Sequence, residues 1–380
     1  MGISPLESTL REIAGKLRHL LGPSAALYHV SETRFSFLLP GTRTEQHDNF
    51  ATLLLARMRE PFTSSGITVE LEIEAGLVNF PLDASGANDA LRKATSAMHE
   101  SASTGRGYLW HGSCFDASHR RAYSLLRDVS PGLARGEFRL VFQPKLNLTT
   151  GTYSGVEALA RWKHPKHGDI SPAEFIPLVE STTLIHEFTQ WAMHTALAQL
   201  AAWRSDGLHL TMAVNVSSRN LDHPSFVRVV RDACALHGVD PKWLHVECTE
   251  NAIMTSPATQ ASLEALRDLG AQISLDDFGM GYSNLSCLSA LPVELLKLDQ
   301  SLIKPIASDA RALKLVESLI QLGHVLGYRM LAEGVETQAV FDLLAAAGCD
   351  ALQGYYLSRP LEANALVAFM DEAPRARLAA

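Results

Sequence analysis

From about Phe138 onward the chain alternates between two hydrophobic rhythms. Short apolar runs of β character are followed, in most cases, by 10–20 residues with the three-to-four-residue period of an amphipathic helix. The runs are "FRLVFQPKL", "YSGVEALARW", "LTMAVNVS", "LHVECTE", "QISLDDFG", "ELLKLDQ", "RMLAEGV" and "DALQGYYLS". "SFVRVVRDACALHG" and "RALKLVESLIQLGHVLG" are two of the helical stretches between them. Eight strands with intervening helices over about 240 residues predict an α/β fold, a (β/α)8 TIM-like barrel. A doubly wound open sheet would need a glycine-rich phosphate turn after its first strand, and none is present. The residues before this region pattern as a smaller α/β unit. It has a helix over 5–21, a hairpin in "AALYHVSETRFSFLLPG", a helix near 45–60, a strand in "TVELEIEAGLVNFP" and a helix in "GANDALRKATSAMHESASTG". The expected division is 1–117 for this unit, 118–135 for a linking helix and 136–380 for the barrel.

The barrel reading gives meaning to the polar residue that closes each run. Strand C-termini of a parallel barrel share one mouth. Glu157, Asn215, Glu247, Asp276 with Asp277, Lys297, Glu333 with Glu336, and Gln353 are therefore expected to converge there although they are far apart in sequence. A single strand-end acid is usually solvated; a set spread over seven runs is not explained that way. Several carboxylates in one cleft repel one another unless a cation neutralises them. Oxygen donors without cysteine or histidine suit Mg²⁺ or Mn²⁺ rather than zinc. The acids suffice for two ions, which at about 3.5–4 Å apart can hold a phosphoryl oxygen and activate water. Lys297 is expected to orient that water or take its proton, and Arg161 to share the face of Glu157 and grip a phosphate. His164 and His167, on the turn "RWKHPKHGD", read as surface residues.

Composition narrows the class further. The 380 residues are 47% hydrophobic and 19% charged, ordinary values for a globular protein, and no membrane span is expected. A net charge of −8 argues against binding a nucleic acid polymer. Five cysteines without CxxC spacing fit a reducing cytoplasm.

At these residues the chain from about Gly136 resembles the EAL family of cyclic di-GMP phosphodiesterases. The signature stands as Glu157-Ala158-Leu159, and "FQPK", "SPAEFIPLVE", "NVSSRNL", "ECTE", "DDFGMGYSNL", "LPVELLKLD", "AEGVET" and "LQGYYLSRPL" all occur in family order. The resemblance implies metal-dependent hydrolysis of cyclic di-GMP to linear pGpG. It places metal ligands at Glu157, Asn215, Glu247, Asp276, Asp277 and Glu333, and catalytic groups at Lys297, Glu157, Asp277 and Glu336. Substrate contacts fall on Gln143, Leu159, Arg161 and Gln353. Glu250, Phe278, Gly279, Met280 and Gly281 belong to a loop coupled to a homodimer interface; the family's usual Thr or Ser after "DDFG" is Met280 here. The N-terminal part is similar to the second half of a GGDEF domain whose signature turn is replaced by Ser31-Glu32-Thr33-Arg34-Phe35. That implies a degenerate regulatory module without cyclase activity. The alternative is a catalytically weak cyclic di-GMP receptor signalling through this module.

Overall fold

The computed structural model describes residues 5–22, 25–31, 33–40, 45–64, 67–111, 113–253, 256–279 and 292–372. The chain forms two compact units, 1–121 and 122–380. In the first, helices Pro5–Leu21 and Glu45–Arg59 bury Leu17, Leu54 and Met58, with Phe35 and Phe37 packed against them. The sheet of this unit is fragmentary. β1 (Leu27–Ser31) pairs antiparallel with β2 (Arg34–Phe37), β3 (Phe62–Ser64) antiparallel with β4 (Ile67–Val69), and β5 (Ala75–Leu77) parallel with β6 (Tyr108–Trp110). The single strand expected in "TVELEIEAGLVNFP" is thus two short pieces. Gly76 lets helix Ala87–Thr104 lie directly on β5, because a side chain there would strike the carbonyl of Ala94. That helix ends on Gly105 in the left-handed conformation, whose N–H closes on the Ser101 carbonyl. The helix expected over 118–135 is longer and runs Ser113–Ala134.

The second unit is the expected barrel. Its strands are β7 (Phe138–Asn147), β8 (Thr152–His164), β10 (Thr211–Asn215), β11 (Leu244–Thr249), β12 (Gln272–Phe278), β13 (Leu295–Leu298), β14 (Arg329–Ala332) and β15 (Ala351–Leu352); β9 (Gly168–Ile170) extends β8 outside the ring. Pairing of β15 with β7, β7 with β8 and β8 with β10 closes the ring. One strand departs from the all-parallel expectation: β7 runs antiparallel to both β8 and β15. Only residues 148–151 separate β7 from β8, and Gly151 (φ 64°) returns its N–H to the Asn147 carbonyl. A link that short closes a hairpin, whereas a parallel neighbour needs a crossover of a dozen or more residues.

Alternation along each strand sorts the side chains. Met212, Val214, Val246, Ile273, Leu275, Leu296, Leu298 and Met330 are fully or nearly fully buried in the shell shared with the helices. The intervening positions face the barrel axis and carry the polar residues. A second apolar cluster stands beside the upper rim: Phe138 stacks on Trp162 (centroids 4.5 Å apart) and meets Phe175 and Phe188 edge-on at 5.7 Å. Leu125 and Val129 of helix Ser113–Ala134 are buried in the same cluster. His164, expected on the surface, belongs to this region and is 3% exposed. Its Nδ1 accepts the Lys166 N–H at 3.0 Å, and its Nε2 meets Asp128 Oδ2 at 3.2 Å. The turn needs a buried acceptor, which the isolated tripeptide context does not reveal. His167 is exposed as expected.

Candidate active site

Lys297 is the residue around which the mouth is organised. It sits between Leu296 and Leu298 on β13, so its stem points inward among polar neighbours while theirs point into the apolar shell. Its ammonium is completely buried and donates to Glu333 Oε1 at 2.7 Å, Glu247 Oε2 at 2.9 Å and Asp276 Oδ2 at 3.1 Å, with Glu157 Oε2 at 3.8 Å. Four strands, β8, β11, β12 and β13, and the segment after β14 thus deliver one charged group each to a single point.

Register explains the meeting. Asn215 stands opposite Glu247 across the β10–β11 ladder, and Glu157 opposite Ala213 across β8–β10. Both oxygens of Glu157 are spoken for: Asn215 Nδ2 donates to Oε1 at 2.7 Å and Gln353 Nε2 to Oε2 at 2.7 Å. Gln353 Nε2 also reaches Gln143 Oε1 at 3.1 Å, and Gln143 donates to the Ser358 carbonyl at 3.2 Å. Gln143 and Gln353, expected at the substrate, thus also form an amide relay that orients Glu157. Glu247, completely buried, is held from its other side by Lys145 Nζ at 2.5 Å. Lys145 was not among the expected site residues. It shares the inward face of β7 with Gln143 two positions earlier, a spacing that strand alternation makes legible.

The electrostatics follow from these contacts. Burial opposes the charge of Lys297, but Glu157, Glu247, Glu333 and Asp276 overcome it and hold the ammonium well above the usual lysine range. Burial likewise opposes the charge of Glu247, yet Lys145 and Lys297 carry its pKa below the usual range. Glu333 is pushed up to about 8, first by burial and then by Asp276 and Glu157, against the pull of Lys297. Four carboxylates (Glu157, Glu247, Asp276, Glu333) meet two ammonium groups, so acid remains in surplus.

Asp276 is half-buried against Lys297, and Asp277 beside it is exposed at the rim. The β12–β13 register slips between Leu275 and Phe278, and Asp277 takes φ 56°, the one positive value of a non-glycine among the described residues. Its N–H bonds back to Asp276 Oδ1 at 3.0 Å. A bulge of this kind re-aims a side chain at a rim. Asp277 has its pKa raised by burial, by Asp276 and by Asp299. Arg161 is half-buried, with its pKa lowered mainly by that burial, and donates to the neighbouring Ala160 carbonyl at 2.8 Å. Leu159 is half-buried on the same strand. Glu250 is buried at the start of the short helix after β11. Phe278 is buried, and Gly279 takes a left-handed backbone (φ 94°) that a side chain would strain. Glu336 is exposed and is not drawn into the cluster. Met280 and Gly281 lie outside the described residues.

Among the described residues, no three acids, histidines or cysteines are grouped by themselves as an ion would need; the acids close on Lys297 instead. Their chemistry nevertheless fits hard divalent cations. Every candidate donor is an oxygen, Asn215 keeps its Oδ1 after spending its amide N–H on Glu157, and the surplus of acid is what added positive charge would relieve.

Comparison with known proteins agrees with this picture. The family model described as EAL domain matches residues 126–360, and the one described as diguanylate cyclase, GGDEF domain, matches residues 2–108. A cyclic di-GMP phosphodiesterase of Pseudomonas aeruginosa is 37% identical over 342 residues, covering 89% of this chain and 58% of that protein. The bifunctional diguanylate cyclase/cyclic di-GMP phosphodiesterase MucR of the same species is 34% identical over 363 residues, covering 94% and 53%. The chain thus spans little more than half the length of these relatives. The solved structure of a MucR phosphodiesterase in complex with cyclic di-GMP is 40% identical, with a TM-score of 0.61, over 64% of this chain and 99% of that one.

Proposed function

The chain belongs to the EAL domain family, and from that premise we propose that it hydrolyses cyclic di-GMP to linear pGpG with the help of two divalent cations, Mg²⁺ or Mn²⁺. The observation that carries the reading is the convergence of Glu157, Glu247, Asp276 and Glu333 on one buried point at the barrel mouth. Relatives that share this barrel are named as phosphodiesterases of that dinucleotide.

Glu157, Asn215, Glu247, Asp276, Asp277 and Glu333 would hold the ions. Cations bound there supply Lewis acidity toward a phosphoryl oxygen and lower the pKa of water from about 15.7 toward neutrality. Lys297 keeps its proton, given the acids around it, so its part is to donate a hydrogen bond that orients the attacking water and to balance developing negative charge. Its role as a base, one of the two expected from sequence, is the weaker assignment. Proton removal is assigned to the Asp277 carboxylate, which stands beside Asp276 at the rim. The new bond joins the water oxygen to phosphorus, the bond to the 3′ oxygen breaks, and that oxygen takes up a proton. Asn215 and Gln353 fix Glu157 from both sides, and Arg161 is assigned the second phosphate.

The GGDEF-like unit is assigned a regulatory rather than a synthetic role, because Ser31 to Phe35 replace the signature turn. The barrel is assigned a homodimer interface through the segment after Phe278. Among the described residues no helix is long and apolar enough to cross a membrane.

Chromatography of cyclic di-GMP incubated with the purified chain tests the proposal. pGpG should accumulate with Mg²⁺ or Mn²⁺ and not with chelator, and specific activity should rise with protein concentration. Intact substrate under both metals, with a folded protein, would refute it.

A further inference from the structure

The opposite end of the barrel carries a second concavity, whose mostly apolar wall is set with a few polar and charged groups. The parallel strands begin there, and antiparallel β7 ends there. A cavity of about 190 Å³ opens among Lys145, Asn147, His245, Gln272, Arg329 and Asp350. At about 30 Å³ per water in the liquid, that is room for roughly six waters, or for one inorganic phosphate or short carboxylate.

Positive groups outnumber negative ones in its wall, Lys145 and Arg329 against Asp350. Asp350 is the one acid in the wall, and its Oδ2 already accepts the Met330 N–H at 2.7 Å and meets His324 Nε2 at 2.8 Å. Arg329 gives one N–H to Gln272 Oε1 at 3.0 Å and has further donors in its fork. Lys145 adds a positive charge from above, although its ammonium is shared with Glu247 at 2.5 Å. His245 is 8% exposed, and among the described residues its ring nitrogens have no hydrogen-bond partner. Those nitrogens are not among the sealed, unpartnered atoms of the interior, so the ring opens to the cavity. An oxyanion would accept its N–H and pair with the Arg329 guanidinium at once.

We propose that this basal cavity binds a small oxyanion, a phosphate or short carboxylate, on Arg329 and His245. Arg329 and His245 are not among the groups assigned to hydrolysis, and Lys145 links the cavity to Glu247 of the acid cluster.

The test uses the full chain stripped by chelator, so that no cation at the upper mouth can hold the anion. Inorganic phosphate and acetate are titrated in parallel while the ring nitrogens of ¹⁵N-labelled histidine are followed by NMR. The His245 signals are assigned from their absence in His245→Phe. The expected result is a saturable shift of the His245 signals with one or both anions, and saturation at least ten-fold weaker in Arg329→Gln of unchanged circular dichroism. Which arm responds tells a tetrahedral from a planar anion. His245 signals unmoved at tens of millimolar of either anion, or an equal midpoint in Arg329→Gln, would overturn the proposal.

Discussion

Lys297→Met removes the one positive charge that all the upper acids share and leaves a side chain of similar length. In the wild type the ammonium is completely buried, with three carboxylate oxygens between 2.7 and 3.1 Å. At an effective dielectric near 20, one unit-charge pair at that distance contributes about 5 kcal/mol before desolvation is counted. Desolvating the lysine cancels much of this, and removing one partner of a buried pair costs about 3–5 kcal/mol in practice. For a unit of this size, each kcal/mol moves the melting midpoint by roughly 2–4 °C. The variant should therefore melt about 6–20 °C below wild type at pH 8 in chelator, by differential scanning calorimetry. Mg²⁺ or Mn²⁺ should restore much of the loss, because a cation supplies the missing charge, while turnover stays absent. A midpoint within about 1 °C of wild type in chelator, or no recovery with either metal, would show that the acids are not held together by charge balance.

Other expectations follow from single contacts. Gly354→Ala places a methyl group in the Val335 backbone; overpacking of that kind should cost about 1–3 kcal/mol in urea unfolding and reduce turnover, since Gln353 is its neighbour. Trp162→Ala opens the aromatic cluster around Phe138 and should cost about 3–5 kcal/mol by the same assay. Asp222 is held below the usual carboxylate range by the hydroxyls of Ser256 (2.5 Å) and Thr259 (2.6 Å). Its folded pKa lies below the unfolded value of about 3.9, so its stabilisation is complete above that pH and is lost as pH falls through the folded pKa. The melting gap between wild type and Asp222→Asn should be widest above pH 4 and close on acidification; a gap independent of pH contradicts the assignment.

Much of this was legible before any coordinates. All eight apolar runs are barrel strands, since a run of alternating inward and outward residues carries its own face assignment. The direction of β7 was not legible from the runs themselves; it is set by the length of the turn at residues 148–151 and by Gly151, not by hydrophobicity. Glu157, Glu247, Asp276, Glu333 and Lys297 meet as expected, because strand ends in one ring have few places to go. Lys145 went unassigned because its partner is about a hundred residues away, and only the closed ring brings Glu247 to it. Glu336 is three residues beyond Glu333, past Gly334 at φ 65°, and the turned backbone carries it to solvent. The contact of Gln353 with Gln143 and Glu157 is set by the adjacency of β15 to β7 and of β7 to β8, which the runs themselves do not reveal. In the N-terminal unit the short paired segments carry too little alternation to reveal where one strand stops and the next begins.

The central claim is that the acids of the upper mouth accept hard divalent cations. Its most direct test is an electron paramagnetic resonance titration of Mn²⁺ into the chelator-stripped chain. The account predicts saturable loss of the free-ion signal, approaching two ions per chain, and its abolition in the folded double variant Glu157→Gln, Glu247→Gln. Mn²⁺ that stays free in the presence of folded wild-type protein, or that binds the double variant equally well, would contradict it.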